Sequence, residues 1–275
     1  MAIITFWNES EKENGQTLSI IAIANQMAIE HNCRILLVDA CFHDKTIERA
    51  FWKHKENKTV QTLNAGKIDV SSGAEGLVSA VASNKATPEI ITNYTKIVYK
   101  NRLDILLGLK TEIPEEHEKS LMLYKDLIAT ANRYYDYVLV DVQKGYRIPS
   151  SKALVSQANL IMYTMPPNLM NIDHYLELKE TDELVGDKRV MPLLAKSDEN
   201  SAYNVRNTSR YLRERGIIPC IPYDVRFMEA VNESRTSKYF TSQKLSLSAK
   251  TGEYFFKEVE RTCVAIINKL KELNK

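Results

Sequence analysis

The sequence predicts an α/β fold in which helices cover both faces of a mostly parallel central sheet of about seven strands. Apolar runs alternate along the chain with stretches of helical periodicity, which is the pattern of consecutive β-α-β units. Most of these runs are continuous in Val, Ile and Leu instead of alternating with polar residues, as is typical of strands buried on both faces. Together the two observations favour a three-layer sandwich.

Each apolar run of four to six residues is interpreted as a strand. The first reads Ile-Ile-Thr-Phe, and two later runs end in an aspartate, at Asp39 and Asp141. The predicted strands are residues 3–6, 34–39, 103–107, 137–141, 160–164, 189–194 and 217–221.

The segments between these runs have helical periodicity. The predicted helices are residues 17–31, 74–83, 119–134, 150–157, 171–184, 203–215 and about 253–273. The polar segment 233–255 lacks periodicity and is predicted to be a mobile loop. The chain has no internal repeat, low-complexity tract or linker, so residues 1–275 are predicted to form a single domain.

Composition and charge exclude several classes of protein. With 44% hydrophobic and 26% charged residues the chain is expected to be globular, and its net charge of +2 gives no overall attraction to nucleic acid or membranes. The four cysteines form no Cys-x-x-Cys pair, which argues against a zinc or iron–sulfur site and favours reduced thiols. The N-terminus does not have the pattern of a signal peptide, and no apolar run approaches the ~20 residues of a membrane span. We therefore expect a cytoplasmic protein.

The loop NESEKENGQT, residues 8–17, joins the first strand to the first helix. A strand, a tight loop and a helix that begins at Gly-x-Thr is the layout of a phosphate-binding loop, in which backbone N–H groups face the anion. Here Gly15 and Thr17 fit that pattern, but Gln16 stands where a lysine is needed. Glu9, Glu11 and Glu13 bring negative charge to the loop. An ordinary exposed loop with an acidic start to its helix remains an alternative.

Asp39 and Asp141 each follow a hydrophobic strand, and Gly145 lies four residues after the second aspartate. Ligands of such sheets bind outside the carboxyl ends of the strands, where an aspartate can hold Mg²⁺ directly or through water. The sequence therefore predicts that both carboxylates lie at the edge of the sheet where the loop is.

These segments, in this order, resemble the ParA/MinD family of deviant-Walker P-loop ATPases, which includes TadZ/CpaE-like proteins. AIITFW, GQT and RILLVDA resemble the family's first strand, its KGGxGK[ST] loop and its VLLIDAD strand. RLDILLGLK, YDYVLVDVQKG, QANLIMYTMPP and GIIPCIPYDVRFMEAV resemble later family segments. The resemblance covers about 230 residues and implies the SIMIBI type of P-loop NTPase-like sandwich.

The departures from the family affect charge and catalysis. Gln16 replaces the Walker lysine, Cys41 replaces the aspartate that positions the attacking water, and Ala195 replaces the asparagine that reads adenine. The first lysine of the family's KGGxGK loop, which reaches the partner's phosphates across a dimer, aligns near Glu11 or Lys12. The retained residues are Gly15, Thr17, Asp39, Asp141 and Gly145.

The resemblance implies a weakly bound ATP or ADP with Mg²⁺. It implies that Thr17, Asp39 and Asp141 lie beside the metal and that Lys12 and Asp39 are candidate catalytic residues. The nucleotide-binding residues that it implies are Gly15, Gln16, Thr17, Leu18, Asp141, Gly145 and Pro222.

The function that the resemblance implies is a homodimeric nucleotide switch or scaffold for partitioning or subcellular positioning, with little ATPase activity. A genuine slow ATPase for plasmid or chromosome partitioning, with Lys12 supplying the charge, is one alternative. A non-catalytic interaction module of a secretion, pilus or conjugation system is another.

Two further segments bear on partners. The amphipathic C-terminal helix is interpreted as a core helix, with peripheral membrane binding as the alternative. A basic segment offers an alternative DNA contact diluted by nearby glutamates; its cations are Arg206, Arg210, Arg213, Arg215, Arg226, Arg235, Lys238, Lys244 and Lys250.

Overall fold

A computed structural model describes residues 1–10, 12–42, 44–53, 73–83, 87–145, 148–245 and 253–274. Within these ranges one sheet contains eight strands: β1 (Ala2–Trp7), β2 (Ile35–Ala40), β3 (Lys96–Tyr99), β4 (Leu103–Leu106), β5 (Tyr137–Val142), β6 (Leu160–Met165), β7 (Val190–Ser197) and β8 (Cys220–Pro222). Their order is β3-β4-β2-β5-β1-β6-β7-β8, and all neighbours are parallel except β3 and β4. The predicted α/β fold with a mostly parallel sheet is confirmed.

Helices cover both faces of this sheet. They are α1 (Gln16–Glu30), α2 (Thr46–Phe51), α3 (Ala74–Ala82), α4 (Pro114–Met122), α5 (Tyr124–Ala131), α6 (Pro149–Ser156), α7 (Leu169–Thr181), α8 (Val205–Tyr211), α9 (Val225–Asn232), α10 (Thr236–Leu245) and α11 (Glu253–Leu273), with a 3₁₀ helix at Pro88–Tyr94. The structure divides the predicted helix 119–134 into α4 and α5 at Leu123.

Two apolar cores lie on opposite faces of the sheet. Within β1, Ile4 and Phe6 pack towards α1 and α11, whereas Ile3 and Trp7 pack towards the helices α3 to α8. Side chains of a strand alternate between faces, so a strand covered on both sides must be apolar throughout. This is why the central strands read as continuous apolar runs.

At one edge, the sheet has one strand more than the seven predicted. β3 is an additional, antiparallel edge strand, and its residues are exposed or half-buried instead of buried. Because β3 has one neighbour and little contact with the core, it does not show the continuous apolar run by which the other strands were recognised.

The prediction of a loop over 233–255 is wrong for residues 236–245, which form α10. This helix is held by two side chains one turn apart, Thr236 and Phe240, which are 0% and 2% exposed. Two buried positions are too few to give a periodic signal, and contacts with Phe227 and Phe255 determine the helix instead. Residues 246–252 lie outside the described residues.

The last helix, α11, packs its apolar side against α1 and β8. Its buried residues are Phe255, Val259, Thr262, Cys263, Ile266 and Leu270. This packing is what the interpretation of 253–273 as a core helix expects. Among the described residues, no helix combines the length and apolar character that a membrane crossing requires.

Candidate functional site

The carboxyl ends of β1, β2 and β5 meet the start of α1 at one edge of the sheet. Asp39 of β2 lies directly opposite Asp141 of β5 in the strand register. The two residues are 3% and 0% exposed. The structure thus brings the two strand-end carboxyl groups together, next to the turn that contains Gly15.

Gly15 occupies a position that few other residues could take. Its φ is 83°, in the left-handed region, and a Cβ added there would lie 3.0 Å from the Cβ of Ala195 and 3.2 Å from the Cγ of Lys196. Lys196 itself has a φ of 54°. Its aliphatic chain therefore covers the turn, while its Nζ lies 3.6 Å from Oε1 of Glu13.

The side chain of Gln16 points into the sheet edge and is 1% exposed. Its Nε2 donates to Oδ1 of Asp141 at 2.7 Å and to the carbonyl oxygen of Val142 at 2.8 Å. Oε1 of Gln16 and Oδ2 of Asp141 are buried without a hydrogen-bond partner among the described residues. A neutral amide thus occupies the place where the family resemblance implies a positive charge.

Two asparagines that the sequence analysis did not identify fix the loop. Asn8 and Asn14 donate from Nδ2 to the carbonyl oxygen of Thr164, at 2.6 and 3.2 Å. Oδ1 of Asn14 accepts the backbone N–H of Gln16 at 3.0 Å. Side-chain bonds of asparagine to a backbone N–H two residues on are a common turn motif, so an asparagine before Gly-x-Thr was a usable signal.

Thr17 and Asp44 form the next contact along the edge. Oγ1 of Thr17 donates to Oδ2 of Asp44 at 3.4 Å, and Oδ1 of Asp44 accepts the N–H of Thr46, the first residue of α2. Asp44 was also missed, although an aspartate just before a helix is a recognisable capping signal. It adds a third carboxylate to the pair Asp39 and Asp141.

Burial and mutual repulsion determine the protonation of these groups. Burial, followed by the charge of Asp141, raises the pKa of Asp39 well above its usual value. Burial also raises the pKa of Asp141 from 3.8 to about 6, although the neighbouring Gln16 amide and Thr17 hydroxyl lower it. Two buried carboxyl groups side by side cannot both carry charge cheaply, so this edge favours a bound cation or a proton.

Cys41 lies against the same pair. Its backbone N–H donates to Oδ1 of Asp39 at 3.1 Å, and its thiol donates to the carbonyl oxygen of Asp141 at 3.5 Å. Burial, followed by the charges of Asp141 and Asp39, raises the pKa of this thiol well above its usual value. A neutral thiol is a poor acceptor for a water proton.

Gly108 packs against the carboxyl group of Asp39. A Cβ at Gly108 would lie 3.1 Å from Oδ2 of Asp39, and its backbone N–H bonds to that carboxyl group. A cavity of about 550 Å³ opens beside Asp39 and is also lined by Asp44, Glu75 and Lys110. The segment RLDILLGLK therefore contributes to the site through a residue that the sequence analysis did not select.

The remaining candidates lie in three places. Leu18 and Pro222 line a hollow of only about 10 Å³ with Gly15. Gly145 has a φ of 102° and donates its N–H to the carbonyl oxygen of Asn8. Lys12 is exposed and lines a separate groove beside α7. The structure therefore groups all the candidates except Lys12 around the turn.

The residues fit the magnesium side of a nucleotide site better than its phosphate side. No group of three or more His, Cys, Asp or Glu residues in the described ranges is arranged to hold a metal by itself. Mg²⁺ beside a nucleotide takes most of its ligands from phosphate and water, however, and Thr17 with the two aspartates matches that partial set. On the phosphate side, Gln16 has no charge and its N–H is already bonded to Asn14.

Comparisons with known proteins give a likeness of fold. Neither a protein-family model nor a curated protein sequence matches the chain. A ParA family ATPase from Chlorobium tepidum is similar at 15% identity and a TM-score of 0.66, over 96% of this chain and 98% of that one. MinD of Pyrococcus furiosus is similar at 14% identity and a TM-score of 0.64, over 97% of this chain and 100% of that one.

MinD of Pyrococcus horikoshii, solved with Mg-ADP, is similar at 13% identity and a TM-score of 0.62, over 98% of each chain. Matches at such low identity over nearly the full length of both chains establish the fold and leave the chemistry to be argued from the residues. The chain therefore has the fold of the ParA family ATPases and of MinD.

Proposed function

We propose that the protein is a ParA/MinD-like switch or scaffold for partitioning or subcellular positioning, whose ATP site is degenerate and hydrolyses ATP very slowly or not at all. The shared fold and the ordered family-like segments support the positioning role. The environment of Gln16 supports the degenerate site. Its buried amide is already bonded to Asp141 and Val142, so it carries neither a charge nor a free donor for a phosphate.

Phosphoryl transfer depends mostly on positioning and on stabilisation of the charge that develops on the phosphoryl oxygens. Gln16 cannot provide this stabilisation, and Cys41 is a poor substitute for an aspartate that positions water. Each loss is expected to cost orders of magnitude in rate.

A nucleotide would be held weakly by the turn at Gly15 and Leu18, by Pro222 and by Gly145. Thr17, Asp39 and Asp141 would lie beside Mg²⁺, which when bound supplies positive charge against the phosphates. In this proposal Asp39 and Asp141 bind the metal as carboxylates, so metal binding releases protons from carboxyl groups whose pKa values burial has raised.

The proposal includes a homodimer, a protein partner and a cytoplasmic location, as the resemblance implies. For the membrane alternative, the available side of α11 is its polar side, because its apolar side packs against α1 and β8. This packing favours a protein partner over a membrane surface.

Calorimetry with magnesium and a non-hydrolysable ATP analogue, together with a phosphate-release assay, tests the proposal. We expect the wild type to bind weakly and to show no turnover above background. We expect Gln16→Lys to bind at least about tenfold more tightly, because a buried cation then faces both the phosphates and Asp141. Asn232→Lys adds the same charge at an exposed position of α9 and is expected to leave binding unchanged.

Tight binding by the wild type, with turnover that Asp141→Ala abolishes, would contradict the degenerate site. If Lys12→Ala also abolished that turnover, the slow-ATPase alternative would be correct. The exposed position of Lys12, in a groove with Met170 and His174, argues against that alternative.

A further inference from the structure

Strand β7 has an irregularity at Lys196, next to the first turn of α1. The pairing of β7 with β8 shifts its register between Ala195 and Ser197, so Lys196 is the additional residue of a β-bulge. Its φ of 54° lies in the left-handed region, where glycine is the least strained residue. A lysine kept in this conformation indicates that its side chain has a role that glycine could not fulfil.

The bulge directs the side chain of Lys196 across Gly15. Cγ and Cε of Lys196 lie 3.2 and 3.3 Å from the position that a Cβ of residue 15 would take. Nζ lies further along the loop, 3.6 Å from Oε1 of Glu13. The ammonium group is therefore held beside the N-terminus of α1, where the helix dipole favours an anion. Bulges beside functional sites commonly redirect a side chain in this way.

Glu13 is a weak partner for this ammonium group. The side chain of Glu13 is 82% exposed and that of Lys196 is 33% exposed. Ion pairs in such exposed positions contribute little to stability, because water screens both charges. A chain of phosphates carries more negative charge than one carboxylate, so Lys196 can exchange Glu13 for such a ligand.

Two other lysines near the loop approach from different directions. Lys12 is exposed in the groove beside α7. Lys144 lies near the carboxyl pair: burial raises the pKa of Asp141, and the charge of Lys144 partly offsets this rise. In the strand order, β5 and β7 lie on opposite sides of β1. Lys196 therefore reaches the turn at Gly15 from the side away from the carboxyl pair.

We propose that Lys196 binds the phosphates of the nucleotide at this turn and supplies the positive charge that Gln16 lacks, while Glu13 competes with the phosphates for the ammonium group. The inference rests on the proposed nucleotide site and assigns a further binding residue to it. The phosphates then lie between Lys196 and the carboxyl groups that bind Mg²⁺. Because the ligand must first displace Glu13, this competition lowers the affinity for nucleotide.

Calorimetry of the full chain with magnesium tests the inference with two probes, inorganic tripolyphosphate and a non-hydrolysable ATP analogue. Lys196→Gln removes the charge, Lys196→Arg keeps it, and Glu13→Gln releases the lysine from its pair. Lys125→Gln and Glu115→Gln are the matched controls, at exposed positions of α5 and α4 on the face of the sheet opposite α1. Circular dichroism should show that every variant is folded.

We expect Lys196→Gln to bind both probes at least about tenfold more weakly, because a charge-assisted contact with phosphate is lost. Lys196→Arg should retain most of the affinity. Glu13→Gln should bind about threefold more tightly, in line with the small strength of an exposed ion pair. This gain should disappear in Lys196→Gln/Glu13→Gln, since the two residues act through one contact. Both controls should bind as the wild type does.

Three results would overturn the inference: unchanged affinity in Lys196→Gln, tighter binding in Lys196→Gln, or a gain from Glu13→Gln that persists when Lys196 is replaced. Tighter binding would show that the lysine blocks the turn. A loss in Lys144→Gln together with unchanged affinity in Lys196→Gln would assign the charge to Lys144.

The outcomes separate this inference from the proposed function. Each of the three results leaves a degenerate ATP site without turnover intact. Fast turnover by the wild type would contradict the degenerate site, whereas the affinities of the Lys196 variants would still decide the role of this lysine. Binding of neither probe by the wild type and by Glu13→Gln would overturn both.

Discussion

Side-chain amides satisfy the groups at the first turn of α1 that an open anion site would leave free. Asn14 accepts the N–H of Gln16, and Gln16 donates to Asp141 and Val142. Asn8 and Asn14 both bond the carbonyl oxygen of Thr164 at the end of β6. A ligand that binds to these groups must first break the hydrogen bonds between them. This costs free energy, because a buried donor or acceptor is unfavourable when it has no partner.

Gly15 is the residue at this turn that tolerates substitution least. We expect Gly15→Ala to lower the free energy of unfolding by at least about 1 kcal/mol. A left-handed conformation is unfavourable for alanine, and its Cβ would clash with Ala195 and Lys196. Urea denaturation measures the change. Gly216→Ala is a matched control, since a Cβ there has no neighbour within 4 Å. Equal losses of unfolding free energy in both variants would show that a Cβ at position 15 causes no specific strain in the turn.

The sequence predicted the two aspartates of the site and missed the side chains that pack and hydrogen-bond around the turn at Gly15. Asp39 and Asp141 were found because each ends a recognisable apolar strand, and parallel strands present their carboxyl ends at one edge. Asn8 and Lys196 escaped because their contacts join segments distant in sequence, as in the bond from Asn8 to Thr164. A pattern read along the chain does not contain such pairings.

Burial decided which helices and strands could be recognised from the sequence. β1, β2 and β6 are buried at every position and read as apolar runs. The edge strand β3 and the short helices α2, α9 and α10 escaped because fewer of their side chains reach the core. Short elements are stabilised by tertiary contacts more than by their own propensity.

Helix α11 allows a direct test of its role as a core helix. Ile266 is 0% exposed, whereas Val264 on the same helix is 41% exposed. We expect Ile266→Ala to lower the free energy of unfolding by about 2–4 kcal/mol and Val264→Ala to change it by less than about 0.5 kcal/mol. Urea denaturation of both variants measures this. An equally small effect at Ile266 would mean that α11 is only loosely attached to the sheet.

The buried carboxyl pair makes the stability of the whole protein depend on pH. Burial raises the pKa of Asp141 from 3.8 to about 6, so between these values the folded protein binds more protons than the unfolded chain. The contribution of Asp141 to the free energy of unfolding therefore falls as pH rises through this window and is constant above it. We expect Asp141→Asn, which keeps an acceptor for Gln16, to be more stable than the wild type at pH 7 by on the order of 2 kcal/mol.

The advantage of Asp141→Asn should shrink as the pH is lowered towards about 4, as measured by urea denaturation across this range. Asp187 supplies the opposite control, because its hydrogen bonds with Arg189 lower its pKa. Asp187→Asn should therefore be less stable than the wild type at pH 7, and its deficit should disappear in acid. Parallel pH profiles for the wild type and Asp141→Asn would show that Asp141 ionises in the folded protein as it does in the unfolded chain.

The order of the strands has a consequence for biosynthesis. β1 is made first, yet its two neighbours in the sheet are β5 and β6, whose residues end at Val142 and Met165. Until the ribosome has released that much of the chain, an apolar strand exposes two unpaired hydrogen-bonding edges, which are a template for aggregation. Premature termination before β5 would leave a fragment whose first strand has no partner, so truncated products should be targets for chaperones and proteases.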